Sequence, residues 1–313
     1  MRLSFPGCIV ESLPCLVGTN VQRWLLGLVV ACLAWLAAGV ACAAESGGSA
    51  AALYVKYEAL QRELERNAFA RPLHLDSREA DDELQGDVHA ILGYPFAQVR
   101  GALQGEQPWC DILILHLNVK ACRVAPGGSV LQVYIGKKFD EPPRAAHEIE
   151  FAYRVLSATA DYLRLSLTAA SGPFGTRDYR IIVEAVPLEG QRTFLHLSYA
   201  YGYGLSAKVA MQTYLRTIGG SKVGFTVDGR RPDGRPALVG GLRGALERNV
   251  MRYYLAVDAY LAALAAPPDE RLEERLREWF DGTERYALQL HELDEGTYLE
   301  MKRRECDSLS AER

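Results

Sequence analysis

One segment constrains this chain more than any other: Gly240 to Leu264, GGLRGALERNVMRYYLAVDAYLAAL. Leu242, Ala245, Leu246, Asn249, Val250, Tyr253, Val257, Tyr260, Leu261 and Leu264 recur at steps of three and four residues, the spacing that puts side chains on one face of an α-helix. Arg243, Glu247, Arg252 and Asp258 fall mostly on the other side. Pro267 and Pro268 follow, and because proline cannot continue the backbone hydrogen bonds, the helix ends before them. An asparagine and tyrosines interrupt the aliphatic stripe. Two readings are open: the helix faces a sheet across a space that holds a ligand, or the rings are ordinary core with their hydroxyls at the rim.

The sheet is legible upstream. After the turn signal Gly127-Gly128, strands are expected at Val130 to Ile135, Glu148 to Leu156, Tyr162 to Ala169, Arg177 to Val186 and Thr193 to Tyr203. Ile149, Phe151, Tyr153 and Val155 alternate with Glu148, Glu150 and Arg154, so one face is buried and one is wet. Short connections make successive strands antiparallel neighbours. In the last strand Leu195, Leu197, Tyr199, Tyr201 and Tyr203 share one side, and three successive tyrosines predict a cavity wall. Pro72 to Arg78 and Leu84 to Leu92 flank the turn-prone Glu79-Ala80-Asp81-Asp82 as a hairpin. Pro95 to Leu103 and Gln107 to Leu115 read as short helices, and Ala51 to Asn67 as a surface helix. Leu205 to Thr217 reads as another helix, Ser221 to Arg235 as a turn-rich connection, and Asp269 to Phe280 with Thr283 to Lys302 as a helical pair. Between Trp109 and Cys122, His116, Asn118 and Lys120 alternate with Leu117 and Val119, which places the three polar groups on one face of a strand. That face is either a functional one or a solvent-facing edge.

Trp24 to Val40 is an uncharged apolar run behind Arg23, followed by Ala41-Cys42-Ala43-Ala44 and then polar residues. This is the order of a secretory signal peptide, with cleavage expected after Ala43 or Ala44. The first twenty residues are foreign to such a signal and fit a start placed too far upstream. A lipoprotein box at Cys42 and an uncleaved anchor are the other readings, and each tethers the same domain. The mature chain is expected to be periplasmic or secreted. In an oxidising compartment Cys110 and Cys122 form a natural disulfide across a short loop, and Cys306 is left as a free thiol.

Over Leu84 to Leu264 the order is strand, two short helices, about six antiparallel strands and a long helix, with GDVHAILGYPFAQVRGAL followed by PWCDIL at the start. This resembles the START-like (SRPBCC, helix-grip) superfamily of lipid-transfer, polyketide-cyclase and aromatase proteins. The resemblance implies an α+β helix-grip fold: a curved antiparallel sheet of about six to seven strands wrapped around the long C-terminal helix, an apolar cavity between them, and extra helices at both ends. The expected organisation is a signal peptide over 1–44, an N-terminal helix and linker over 45–71, the helix-grip domain over 72–265 and a helical extension over 266–313. The chain departs from the superfamily by its insertion at Leu205 to Arg235, by the extension and by the signal.

The residues exclude several chemistries. There is no G-x-S-x-G, H-E-x-x-H, C-x-x-C or P-loop pattern, and the histidines at 74, 89, 116, 147, 196 and 291 are dispersed. No metal and no cofactor is expected. A formal net charge of −4 leaves no footprint for nucleic acid. The leading expectation is an exported domain that binds or transfers a lipid or other apolar or amphipathic small molecule. Tyr199, Tyr201, Tyr203, Asn249 and Tyr253 would line the cavity, and Arg177 would pair with an anionic head. One alternative is a cyclase or hydratase-type enzyme with His116 or a tyrosine as general acid or base. Another is a non-catalytic partner of a cell-envelope protein, docking through the C-terminal helices. Membrane contact is expected only transiently or through an uncleaved or lipidated N-terminus.

Overall fold

The computed structural model describes residues 48–139, 141, 145–205, 208, 209, 212 and 222–311. The expected signal region and most of the expected 205–217 helix lie outside them. From Gly48 onward the chain is one compact unit. Its base is an antiparallel sheet in the order β1-β2-β8-β7-β6-β5-β4-β3. The strands are β1 (Leu73–Glu79), β2 (Glu83–Leu92), β3 (Val119–Val124), β4 (Val130–Ile135), β5 (His147–Ala158), β6 (Leu163–Ser171), β7 (Thr176–Leu188) and β8 (Arg192–Tyr203). Strands β3 to β8 are paired in chain order. The last of them returns to pair with β2 over its full length, from Glu83↔Gly202 to Leu92↔Thr193.

Alternation places the core as the sequence predicts. Leu163, Leu165 and Leu167 are fully buried on the inner side of β6, while Arg164 and Thr168 face out. The long helix α4 (Gly241–Ala263) crosses the inner face over β1, β2 and β8. It comes so close to β2 that a Cβ on Gly86 would stand 3.0 Å from Val250 Cγ1. Sheet, crossing helix and the helix pair α2 (Phe96–Leu103) and α3 (Glu106–Leu113) after β2 make this a helix-grip fold. The sheet has eight strands because the N-terminal hairpin adds β1. The Cys110–Cys122 disulfide joins α3 to β3, with Cα atoms 5.1 Å apart.

Four local expectations change. First, α4 has no wet face: Glu247, Arg248 and Arg252 are buried. Helix α5 (Arg271–Glu284) packs on that side, where Trp279 Nε1 donates to the Arg252 carbonyl at 3.1 Å. Second, His116 and Asn118 are not in a strand, since the chain turns until β3 begins at Val119. Nor is this a solvent edge, because His116 and Lys120 are buried beneath α7 (Glu295–Ala311). Tyr298 donates to the Leu115 carbonyl at 3.0 Å, and Lys302 to the carbonyls of His116 and Val119 at 2.8 Å each. Third, the expected helix from Thr283 to Lys302 is broken, with α6 (Ala287–Leu290) separated from α7 by residues 291–294. Asp294 supports the restart by accepting from the Thr297 backbone and hydroxyl. Fourth, the connection before α4 contains a hairpin, β9 (Val227–Arg230) with β10 (Pro236–Leu238).

The outer face of the sheet is also partly covered. Helix α1 (Ala50–Glu65) is capped by Ser49, whose Oγ accepts from the Ala52 backbone at 3.2 Å. Its Leu53, Leu60 and Leu64 pack on Tyr162, Val186 and Phe194.

Candidate functional site

On the inner face the expected tyrosines meet the long helix. The Tyr253 ring lies 5.1 Å from the Tyr199 ring, edge-on, and 5.1 Å from His116, stacked. Tyr199 continues to Tyr201 at 5.6 Å, and Tyr201 to Tyr179 at 5.4 Å. These rings form an aromatic cluster shared by β7, β8, α4 and the α3–β3 turn. Tyr179 was not singled out in the sequence, although two-residue steps back from Val183 and Ile181 reach it. The ladder between β7 and β8 is irregular there, and Asp178 adopts φ 54° to accommodate it.

Burial pushes the Tyr199, Tyr201 and Tyr253 hydroxyls well above the ordinary tyrosine pKa. None of the three makes a hydrogen bond among the described residues. Tyr253 and Asn249 nevertheless keep accessible surface, although they stand on the helix face turned to this cluster. His116 completes the cluster. Its Nδ1 accepts from the Asn118 backbone N–H at 3.2 Å, and its Nε2 has no partner. Burial, then the charges of Arg252 and Lys302, hold its pKa well below the ordinary value. The ring is therefore neutral and, with Nδ1 accepting, carries its proton on Nε2. Asn249 lies beside the ring and opposes that shift without a hydrogen bond of acceptable geometry.

Two of the expected residues stand elsewhere. Tyr203 is at the end of the sheet, where its hydroxyl donates to the Ala80 carbonyl at 3.2 Å. Arg177 lies opposite Gly202 on the outer face and is paired with Asp82 at 2.7 Å and Asp178 at 3.2 Å.

The outer face carries a second polar arrangement that sequence reasoning missed. His74, His89, His196, Glu184 and Arg164 are successive cross-strand partners on β1, β2, β8, β7 and β6. The row borders a pocket of about 360 Å³ under α1, which Lys56 and Asp87 also line. His196 Nδ1 is 3.0 Å from Glu184 Oε2, and Nε2 is 2.8 Å from Asp87 Oδ1. Burial alone would lower the His196 pKa, but these two carboxylates overcome it and push it up to about 9. Both are themselves engaged, Glu184 by Tyr162 and Asp87 by Gln85. Only the period of two, applied to five strands at once with the right register, could have aligned this row. Among the described residues no group of three or more histidine, cysteine or carboxylate side chains is arranged to hold a metal ion.

No family model matches the chain, and no curated protein sequence matches it. Solved structures similar to it include a conserved protein from Geobacillus kaustophilus, 14% identical with a TM-score of 0.33, covering 57% of this chain and 95% of that one. A truncated norcoclaurine synthase from Thalictrum flavum is 14% identical with a TM-score of 0.31, covering 46% and 90%. Human StAR-related lipid transfer protein 5 is 11% identical with a TM-score of 0.28, covering 54% and 91%. The fold rests on the strand order and the crossing helix themselves.

Proposed function

We propose that this is an exported helix-grip domain, spanning 72–265, that binds or transfers an apolar or amphipathic small molecule such as a lipid in the chamber between sheet and α4. One observation carries the reading: Tyr253, desolvated and without a hydrogen bond, still keeps accessible surface beside Tyr199 and His116. Rings supply apolar area at about 25 cal/mol per Å² buried, and hydroxyls without protein partners are left to orient a guest. Export is supported by the disulfide, which persists in oxidising compartments. A cyclase-type reading keeps one favourable feature, the neutral His116 with a free Nε2–H at the chamber wall, placed to polarise a carbonyl.

The test is mass spectrometry of organic extracts from protein purified natively from a periplasmic preparation. The parent is compared with a Tyr201→Trp/Asn249→Leu variant designed to fill the chamber. A discrete small molecule that leaves with the parent and is absent from the equally stable variant supports binding. Empty protein in both preparations overturns it. Turnover of a bound carbonyl compound, lost in His116→Phe with binding kept, would favour the enzyme.

A further inference from the structure

The pocket under α1, on the face of the sheet opposite the ring cluster, holds about 360 Å³ and is lined by both signs of charge. Lys56, Arg78 and the imidazolium of His196 face Asp76, Asp87 and Glu184. Half of these groups already answer one another. His196 lies between Asp87 at 2.8 Å and Glu184 at 3.0 Å, and Arg78 donates to Gln85. Three lining groups are left without such a partner. Lys56 makes no hydrogen bond or ion pair among the described residues. The Asp76 carboxylate makes no hydrogen bond among them either, and His74 Nε2 stands 3.5 Å from its Oδ2. His89 is 3% exposed, and its Nδ1 has no partner.

These three groups define what would fit. Lys56 comes from α1 and Asp76 from β1, so two elements bring one unanswered positive and one unanswered negative charge to a single cavity. Asp76 faces Asp87 across the β1–β2 ladder, and His89 follows two residues later on the same side of β2. Lys56 is near enough to His89 to help keep that ring neutral, after burial and the charge of His196. A buried imidazole nitrogen without a hydrogen bond is costly, and a polar guest relieves it. The lining as a whole is balanced, so a guest with net charge gains at one end what it loses at the other. A guest that carries both signs satisfies Lys56 and Asp76 together. Leu53 and Ala52 supply an apolar strip beside the charges, and the volume lies in the range of small-molecule sites.

We propose that the outer pocket binds a small zwitterion of the aliphatic amino-acid class, its carboxylate paired with Lys56, its ammonium with Asp76, and its short side chain against Leu53, with His89 sharing a hydrogen bond. The site is independent of the inner-face reading, because the sheet separates the two.

The experiment is isothermal titration of the purified protein at pH 7.5 with L-leucine, with 4-methylpentanoate, which lacks the ammonium, with 3-methylbutylamine, which lacks the carboxylate, and with glucose. The expected result is binding of leucine at least tenfold tighter than either single-charge analogue, with no measurable heat from glucose. Asp76→Asn should weaken leucine at least fivefold and leave 4-methylpentanoate within twofold. Lys56→Met should weaken leucine as much and leave 3-methylbutylamine within twofold. Lys56 is exposed and the Asp76 side chain is half-exposed, so both variants should keep the parent's urea midpoint. An analogue that binds as tightly as leucine overturns the inference in favour of a site for a simple ion. Glucose binding in place of leucine overturns it in favour of a neutral polyol, and the absence of heat from leucine overturns it outright. Leucine affinity unchanged in both variants would place the amino acid elsewhere and overturn it too.

Discussion

His89 lies face to face with His196, ring centroids 4.4 Å apart and planes within 5°, and only one of the two rings carries a charge. His196, between Asp87 and Glu184, is an imidazolium with its pKa pushed up to about 9. His89 is kept neutral, because burial, and then the charge of His196, bring its pKa down to about 2. Two protonated rings in that stack would repel each other, so the carboxylates decide which ring keeps the proton.

This pair gives stability a signed pH dependence. A histidine whose pKa is raised on folding contributes fully below its unfolded value of about 6.5 and loses that contribution as pH rises through the folded value. The His196 contribution therefore falls away between pH 6.5 and 9. Lys302 works in the opposite sense, since burial lowers its pKa to about 8 and stability is gained as pH rises above that. The clean window is pH 6.5 to 8, where about 2 kcal/mol of unfolding free energy should be lost. Urea titrations across that window measure it. In His196→Gln the slope should vanish, and a slope kept by that variant would assign it to another group. Below pH 6.5 the depressed His89 and His116 take over, and stability declines as pH falls.

The C-terminal helix is fastened by a charge cluster of unequal sign. Lys120 and Lys302 are both 0% exposed, and they share one carboxylate, Glu305, at 3.0 Å and 2.8 Å. Removing the shared carboxylate leaves two buried cations without a counter-charge, so Glu305→Gln should cost roughly 3–5 kcal/mol. Lys302→Met leaves a balanced Lys120–Glu305 pair and should cost at least 1 kcal/mol less, on the scale of that principle. Urea unfolding followed by the fluorescence of Trp279, which stacks on Tyr298 of the same helix, ranks the two. The reverse ranking would mean that the carbonyl contacts of Lys302 dominate.

What was legible in the sequence was what depends on local period. Val130 to Ile135 emerges with the expected bounds, and the inward set Leu195, Leu197, Tyr199, Tyr201 and Tyr203 is buried as alternation requires. What was not legible depends on coverage by distant elements. The run Val119 to Cys122 is buried on both sides because α3 and α7 pack against β3, so alternation around Lys120 carried no information about solvent. Arg252 read as a wet-face residue because nothing local announces that α5 and residues 290–292 close over it. Tyr199, Tyr201, Asn249 and Tyr253, which meet in or beside the inner-face ring cluster, were visible as polar interruptions of apolar patterns, whereas the outer row from His74 to Arg164 needs the register of five strands.

The disulfide closes a separation of 12 residues, from α3 through the His116 turn into β3. A loop of that length is expected to contribute about 2–3 kcal/mol, by reducing the freedom of the unfolded chain. Cys110→Ala/Cys122→Ala should lower the urea midpoint accordingly, and the parent in strong reductant should match it. Cys306 does not confound the comparison, because burial raises its thiol pKa to about 11 and it is protonated at neutral pH. A reduced parent as stable as the oxidised protein would show that α7, packed on β3, fixes the turn without the bond.

The buried tyrosine hydroxyls differ in whether they hold a partner. Tyr298 is fully buried, and its hydroxyl donates to the Leu115 carbonyl at 3.0 Å. Deleting a buried donor that satisfies a carbonyl costs about 1–3 kcal/mol, so Tyr298→Phe should be destabilising by that amount. The Tyr253 hydroxyl has no such partner, and removing an unpaired polar group forfeits nothing in the empty protein. Tyr253→Phe and Tyr199→Phe should therefore stay within about 0.5 kcal/mol of the parent, or gain slightly. The same two variants should weaken binding of whatever small molecule co-purifies, because the hydroxyls that orient it are gone. Urea unfolding of the three variants without ligand, followed by titration with the recovered molecule, separates the cases. If Tyr253→Phe costs as much as Tyr298→Phe, the hydroxyl is structural and the chamber loses its principal support.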